Sequence, residues 1–206
     1  MPLDPRPRST LTGHFRRAHI VPMAVPLLKG PFTVDMYQRL PALGVLADDA
    51  RVELIGGQVV EMSPIGDRRA NCVRRLNRAF APHVNLAVID VQSTLVLGEH
   101  DAPQPDLSVL KPRADAYLRH PRAPDTLLVI EVADSSLAYD RDVKIPMYAA
   151  AGIPEVWLVN LPANRIDVYR QPVAAAYASV HSVSRGETLS PLLLPTIILH
   201  AVEIIG

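Results

Sequence analysis

The chain has 206 residues, enough for one domain with a sizeable core. Its 21 basic and 21 acidic residues cancel, which excludes a global field drawing it onto nucleic acid but leaves room for a local basic groove. A single cysteine, Cys72, excludes an internal disulfide framework and fits a reducing, cytoplasmic setting, and no stretch approaches the roughly 20 apolar residues of a membrane span.

Residues 1–31 carry scattered prolines and arginines without periodicity and read as a Pro-rich tail, leaving 32–206 as a single domain. Pro22 and Pro26 interrupt the partly apolar segment 19–28, and no cleavage pattern follows it, so no signal peptide is expected. Thr33 is placed to cap a short helix that Pro41 would end. Two strand-like runs, 51–55 and 58–62, flank Gly56-Gly57, a strong two-residue hairpin signal. Residues 67–81 change to a helical period, with Cys72, Val73, Leu76 and Phe80 on one stripe and arginines on the remaining faces.

Strands are expected at 87–97, 106–110 and 127–132, then a helix over 140–151 stopped by Gly152. Pro146 complicates that helix, because proline is best accepted in a first turn. An apolar strand at 155–160 and an alternating edge-hairpin partner at 165–170 follow, and 192–194 and 197–205 supply closing strands. The order implies an α/β or α+β fold, a mixed β-sheet flanked by helices with an added N-terminal hairpin and C-terminal strands.

Glu131 stands inside the apolar run 126–133, where an isolated carboxylate costs several kcal/mol unless a partner or a metal compensates. Its partner could be one arginine of the Arg-rich helix, or a site formed with Asp106, Lys144 and Glu53. Each of these has a plainer explanation. Asp106 follows Pro105 and could merely punctuate a strand start, as Asp125 after Pro124 does. Lys144 could belong to a charged helix face, and hairpin glutamates such as Glu53 commonly face water. The seven histidines lack zinc-motif spacing, Cys72 lies on an apolar stripe, and no phosphate-binding glycine loop is present.

Taken together, Pro105-Asp106, Glu131-Val-Ala and Lys144 resemble the metal-dependent PD-(D/E)XK nuclease superfamily. Val52-Glu-Leu-Ile-Gly-Gly, Met62-Ser-Pro, Gln104-Pro-Asp-Leu-Ser-Val and the block from Lys144-Ile-Pro-Met-Tyr to Val-Trp-Leu-Val159 resemble its putative restriction endonuclease branch, over roughly residues 32–206. Two departures stand out. Ala133 occupies the superfamily's lysine position, which Lys144 would take over from the next helix, and Arg69 stands where the branch often has histidine.

The resemblance implies a restriction-endonuclease-like core and a Mg²⁺-dependent endonuclease cutting DNA with a metal-activated water, Mn²⁺ being a possible substitute. Asp106, Glu131 and the Val132 carbonyl would hold the metal. Lys144 would orient or deprotonate the attacking water, and Glu53 would bind a second metal or position Lys144. A homodimer is expected, since cutting both strands needs two sites or a reorientation of one. The other readings are a catalytically inactive nucleic-acid-binding or assembly protein that keeps the fold, and a hydrolase of another phosphoester.

Overall fold

The computed structural model describes residues 26–28, 30–47 and 49–206. Most of the expected tail lies outside these residues. Within it, β1 (Pro26–Leu28) pairs antiparallel with β3 (Gln58–Glu61), which pairs with β2 (Val52–Ile55) to give a small sheet in the order β1-β3-β2. Gly56 and Gly57 turn the β2–β3 hairpin with φ of 56° and 73°. Positive φ at both central residues is the two-residue turn whose twist matches paired strands. Thr33 Oγ1 accepts the Met36 amide at 3.2 Å and starts α1 (Val34–Arg39), whose Val34 and Tyr37 pack on Val52, Leu54 and Val59 of the hairpin.

The main sheet has six strands in sequence order: β4 (Val88–Val91), β5 (Leu107–Leu110), β6 (Thr126–Ala133), β7 (Glu155–Asn160), β8 (Arg165–Val173) and β9 (Ala176–Ser184). All neighbours run antiparallel except β6 and β7, which are parallel with Glu131 opposite Leu158. A parallel pair needs a crossover rather than a tight turn. The crossover consists of α3 (Leu137–Tyr139), a π-helical segment (Asp140–Lys144) and α4 (Ile145–Ala150). The fold is therefore mixed α+β, as expected.

Every residue of β6 is buried, because the two faces of the sheet are covered by different helices. On one face α2 (Asp67–Phe80) lays Cys72, Val73, Leu76 and Phe80 against Ile130, Val132 and Trp157. On the other, Tyr148 and Ala149 of α4 pack on Val129, Val156 and Leu158. β10 (Thr188–Leu189) and β11 (Leu199–His200) pair as a small ribbon, after which α5 (Ala201–Ile205) packs against α2.

Four local expectations are corrected. The strand over 87–97 ends at Val91, because Gln92 adopts φ 50° and its amide turns onto the Asp106 carbonyl at 3.2 Å. The helix over 140–151 begins earlier and is not uniformly α. The Ile145 amide reaches back five residues to the Asp140 carbonyl, and this widened turn accommodates Pro146, whose ring would collide with the carbonyl four residues back in a regular helix. The segment 165–170 is not the edge, since β8 lies between β7 and β9. Of the closing strands over 192–194 and 197–205 only Leu199 and His200 are extended; 192–194 lies in a turn, and Ala201 and Ile204 bury one side of a helix against the core.

Phe80 is fully buried with its ring centroid 6.2 Å from that of Trp157. Phe80→Ala is expected to lower the unfolding free energy by about 3–5 kcal/mol. Urea titration followed by fluorescence of Trp157, the only tryptophan of the chain, reads this loss.

Candidate active site

Glu131, with none of its surface exposed, projects from β6 toward the crossover. Its Oε1 accepts the Tyr148 hydroxyl at 2.6 Å and lies 3.2 Å from the Lys144 ammonium. Its Oε2 is buried and has no hydrogen-bond partner among the described residues. Lys144, 2% exposed, also lies 3.0 Å from Oε2 of Glu53, which arrives from β2 in the small sheet. The Gln104 amide at 3.3 Å and the Tyr139 hydroxyl at 3.4 Å complete the surroundings of Glu53. One ammonium thus joins carboxylates from two sheets.

Asp106 stands immediately before β5, beside Glu131 on β6. The Val132 amide donates to its Oδ2 at 2.8 Å. In a strand the N–H and C=O of one residue point to the same side, so the Val132 carbonyl faces the Asp106 edge as well. Gln92 donates to Oδ1 at 3.2 Å, and Arg69 grips both oxygens, with Nε at 3.1 and 3.0 Å and Nη2 at 2.9 Å. Asp140, also buried, accepts the Ser136 hydroxyl at 2.6 Å.

The structure therefore gathers Glu53, Asp106, Glu131, Val132 and Lys144 at one end of the sheet. It adds Arg69, Asp140, Tyr139, Tyr148, Gln92 and Gln104, which the sequence reading did not select. A signal for Arg69 was present, since it follows the helix start at Asp67 on the side of α2 that turns inward. Nothing local distinguished Asp140 from its neighbours Arg141 and Asp142, which pair with each other in solvent. An arginine does meet a buried carboxylate here, but it is Asp106 rather than Glu131.

Four buried carboxyls face only two cations, Arg69 and Lys144, so ionising all four would leave two negative charges in excess. Burial pushes the Glu131 carboxyl up to about 8, and Lys144 only partly offsets it. Burial likewise raises Asp140 against the opposing pull of Lys144. Burial works against the Lys144 ammonium too, but Glu131 and Glu53 outweigh it and hold its pKa well above that of an ordinary lysine. Cys72, raised to about 12 by burial, is inert.

A hard divalent cation would cancel the excess charge, and the donors are of the kind it takes. The bare Oε2 of Glu131 offers free lone pairs. Asp106 offers none until a donor leaves, because Arg69, Gln92 and Val132 use both its oxygens. Among the described residues no three Asp, Glu, His or Cys side chains stand grouped to bind an ion. Lys144 stands between Glu53 and Glu131, 3.0 Å from Oε2 of the first and 3.2 Å from Oε1 of the second. A cavity of about 30 Å³, lined by Glu53, Arg69, Tyr139, Asp140 and Lys144 among others, leads outward. It has room for an ion or a water or two, not for a nucleotide.

A family model described as Uma2, "Putative restriction endonuclease", matches residues 34–202, and the chain belongs to that family. A crystal structure from Anabaena variabilis ATCC 29413, described as a putative nuclease, is similar at a TM-score of 0.63 and 16% identity, covering 85% of this chain and 98% of that one. At that identity the likeness is one of fold, and the fold is restriction-endonuclease-like. No curated protein matches the chain. Among the described residues no helix is long and apolar enough to cross a membrane.

The raised Glu131 pKa has a sign that can be checked. A carboxyl whose folded pKa lies above its unfolded value favours the folded state while protonated, and that contribution is lost as pH rises through the folded pKa. In chelator, the melting temperature is expected to fall between about pH 4.5 and 8, and Glu131→Gln, which cannot ionise, is expected to flatten that fall. Scanning calorimetry of both proteins across this window makes the comparison; parallel curves would assign the pH dependence to another group.

Proposed function

We propose that the chain is a Mg²⁺-dependent endonuclease that hydrolyses phosphodiester bonds of DNA, with Mn²⁺ able to substitute. The observation that carries this reading is the unpartnered Oε2 of Glu131 in a buried site where four carboxyls face two cations. Asp106, Glu131 and the Val132 carbonyl would hold the cation, which when bound supplies neutralisation of phosphate charge and acidification of water.

The chain's own groups do the rest. Lys144, kept protonated by its two carboxylates, cannot accept a proton from water; it orients the attacking water and stabilises the charge that develops on the phosphate. Glu53 and Tyr148 fix the Lys144–Glu131 pair, so little reorganisation is needed when the phosphate arrives. On α2 the exposed Arg74 and Arg78 offer phosphates opposite charge, whereas Arg68 is paired with Asp134 at 3.0 Å. Cutting both strands of a duplex calls for two such sites. The exposed Leu192, Leu193, Ile198 and Val202 near the C-terminal end give a homodimer an apolar surface to bury. Light scattering at micromolar concentration is expected to give the mass of two chains.

Incubating supercoiled plasmid and single-stranded DNA with the protein in Mg²⁺ or Mn²⁺ tests the activity. Cleavage is expected with either ion, and not in chelator or with Asp106→Asn. DNA binding without cleavage in both ions would make the chain an inactive nucleic-acid-binding member of its family. Lys144→Ala is expected to lower the cleavage rate by about 10²–10³-fold. Because it strands two buried carboxylates, it is also expected to cost about 3–5 kcal/mol of stability. Lys144→Arg, which keeps the charge, separates the two effects when rates are normalised to folded protein.

A further inference from the structure

Arg69 holds a position that the metal-binding reading does not use and that stands in its way. A carboxylate has about four lone-pair directions. On Asp106 they are met by Arg69 Nε and Nη2, Gln92 Nε2 and the Val132 amide. A hard cation approaching to about 2 Å must displace one of these donors. The Val132 amide is fixed in β6. Gln92 is neutral and its contact is the longest, but its departure alone would leave the guanidinium beside the incoming ion, like charge against like charge. The donor that has to move is Arg69.

The surroundings show where it can go. Arg69 is 8% exposed and lines the narrow cavity that leads out of the site, so its guanidinium sits between Asp106 and solvent. On the same helix Arg68, Arg74 and Arg78 are exposed and Arg75 is half-buried, against Asp67 as the helix's single acid. Arg69 itself lies on the buried face of the helix, so a phosphate meets it at the cavity that it lines rather than among the exposed arginines. Guanidinium pairs with phosphate oxygens in the same two-pronged geometry that it uses on a carboxylate.

We propose that Arg69 is a guard on Asp106: in the resting protein its guanidinium takes the place of the cation, and a phosphodiester of the nucleic acid draws it away, so that metal and substrate load together. Arg69 is thus a positioning residue that couples two binding events and restrains the free protein from holding metal at Asp106. The inference rests on the nuclease reading above.

The test is Mn²⁺ binding, followed by the paramagnetic resonance of the free ion, with and without a phosphorothioate DNA duplex that resists cleavage. Arg69→Gln is expected to bind Mn²⁺ about tenfold more tightly than wild type without DNA, within the usual range for coupled sites. The duplex is expected to tighten Mn²⁺ binding in wild type by a similar factor, and in the variant by much less. A second measurement needs no variant. The Nε–H nitrogen resonance of Arg69, protected from exchange by Asp106, is expected to persist in moderate Mg²⁺ and to shift when duplex is added.

Equal Mn²⁺ affinities with equal tightening by DNA in both proteins would overturn the guard while leaving the nuclease reading intact. An Arg69 resonance unmoved by saturating Mg²⁺ and duplex would do the same. Absence of Mn²⁺ binding in both proteins, with duplex present, would overturn the guard and the metal site together.

Discussion

An ammonium held in the dry interior between two carboxylates is the contact around which the molecule is arranged. Lys144 ties the crossover between β6 and β7 to Glu131 beneath it and to Glu53 on a separate sheet. Bringing three charges out of water is costly, and the attraction among them repays that cost only when geometry and further hydrogen bonds are good. Tyr148, Tyr139 and the Gln104 amide supply those bonds. The hairpin sheet is consequently more than an appendage. Without Glu53 the ammonium would lose one of its two ion-pair partners, and the hairpin would lose one of its polar anchors to the rest of the molecule.

A chain with no net charge can conceal a strongly polarised interior. The balance of 21 acids and 21 bases describes the whole sequence, whereas the site gathers four carboxyls in one buried, low-dielectric cluster and α2 carries five arginines. Separation of this kind supports charge chemistry on a phosphate without holding the whole protein on nucleic acid. It also makes the site, rather than the fold, the seat of any activity, since the same architecture serves many purposes.

How much of this was legible in the sequence depended on whether the signal was local. Glu131 was conspicuous because a carboxylate inside an aliphatic strand violates a local rule, and Gly56-Gly57 marked a hairpin because positive φ at two successive residues has few other solutions. Phe80 and Leu76 followed from a helical period. Arg69 showed as a departure from a family pattern and by its place on the inward side of α2, but its grip on Asp106 depends on how α2 meets the end of β5, which no periodicity encodes. Asp140 was hidden because Asp140, Arg141 and Asp142 look alike in sequence; the π-helical turn alone decides which of them turns inward. The closing helix over 201–205 was read as a strand because a short apolar run has no period long enough to tell the two apart.

The parallel pairing of β6 with β7 has a consequence for how the site comes into being. Lys144 and Tyr148 lie 13 and 17 positions from Glu131, within one strand–crossover–strand unit, whereas Arg69 reaches Asp106 across 37 positions and Tyr139 reaches Glu53 across 86. The buried carboxylate and its ammonium therefore belong to one short stretch of chain that closes a small loop, and the remaining groups are recruited across much larger ones. Half of the site is a self-contained module of the polypeptide, and the other half is a property of the finished tertiary structure.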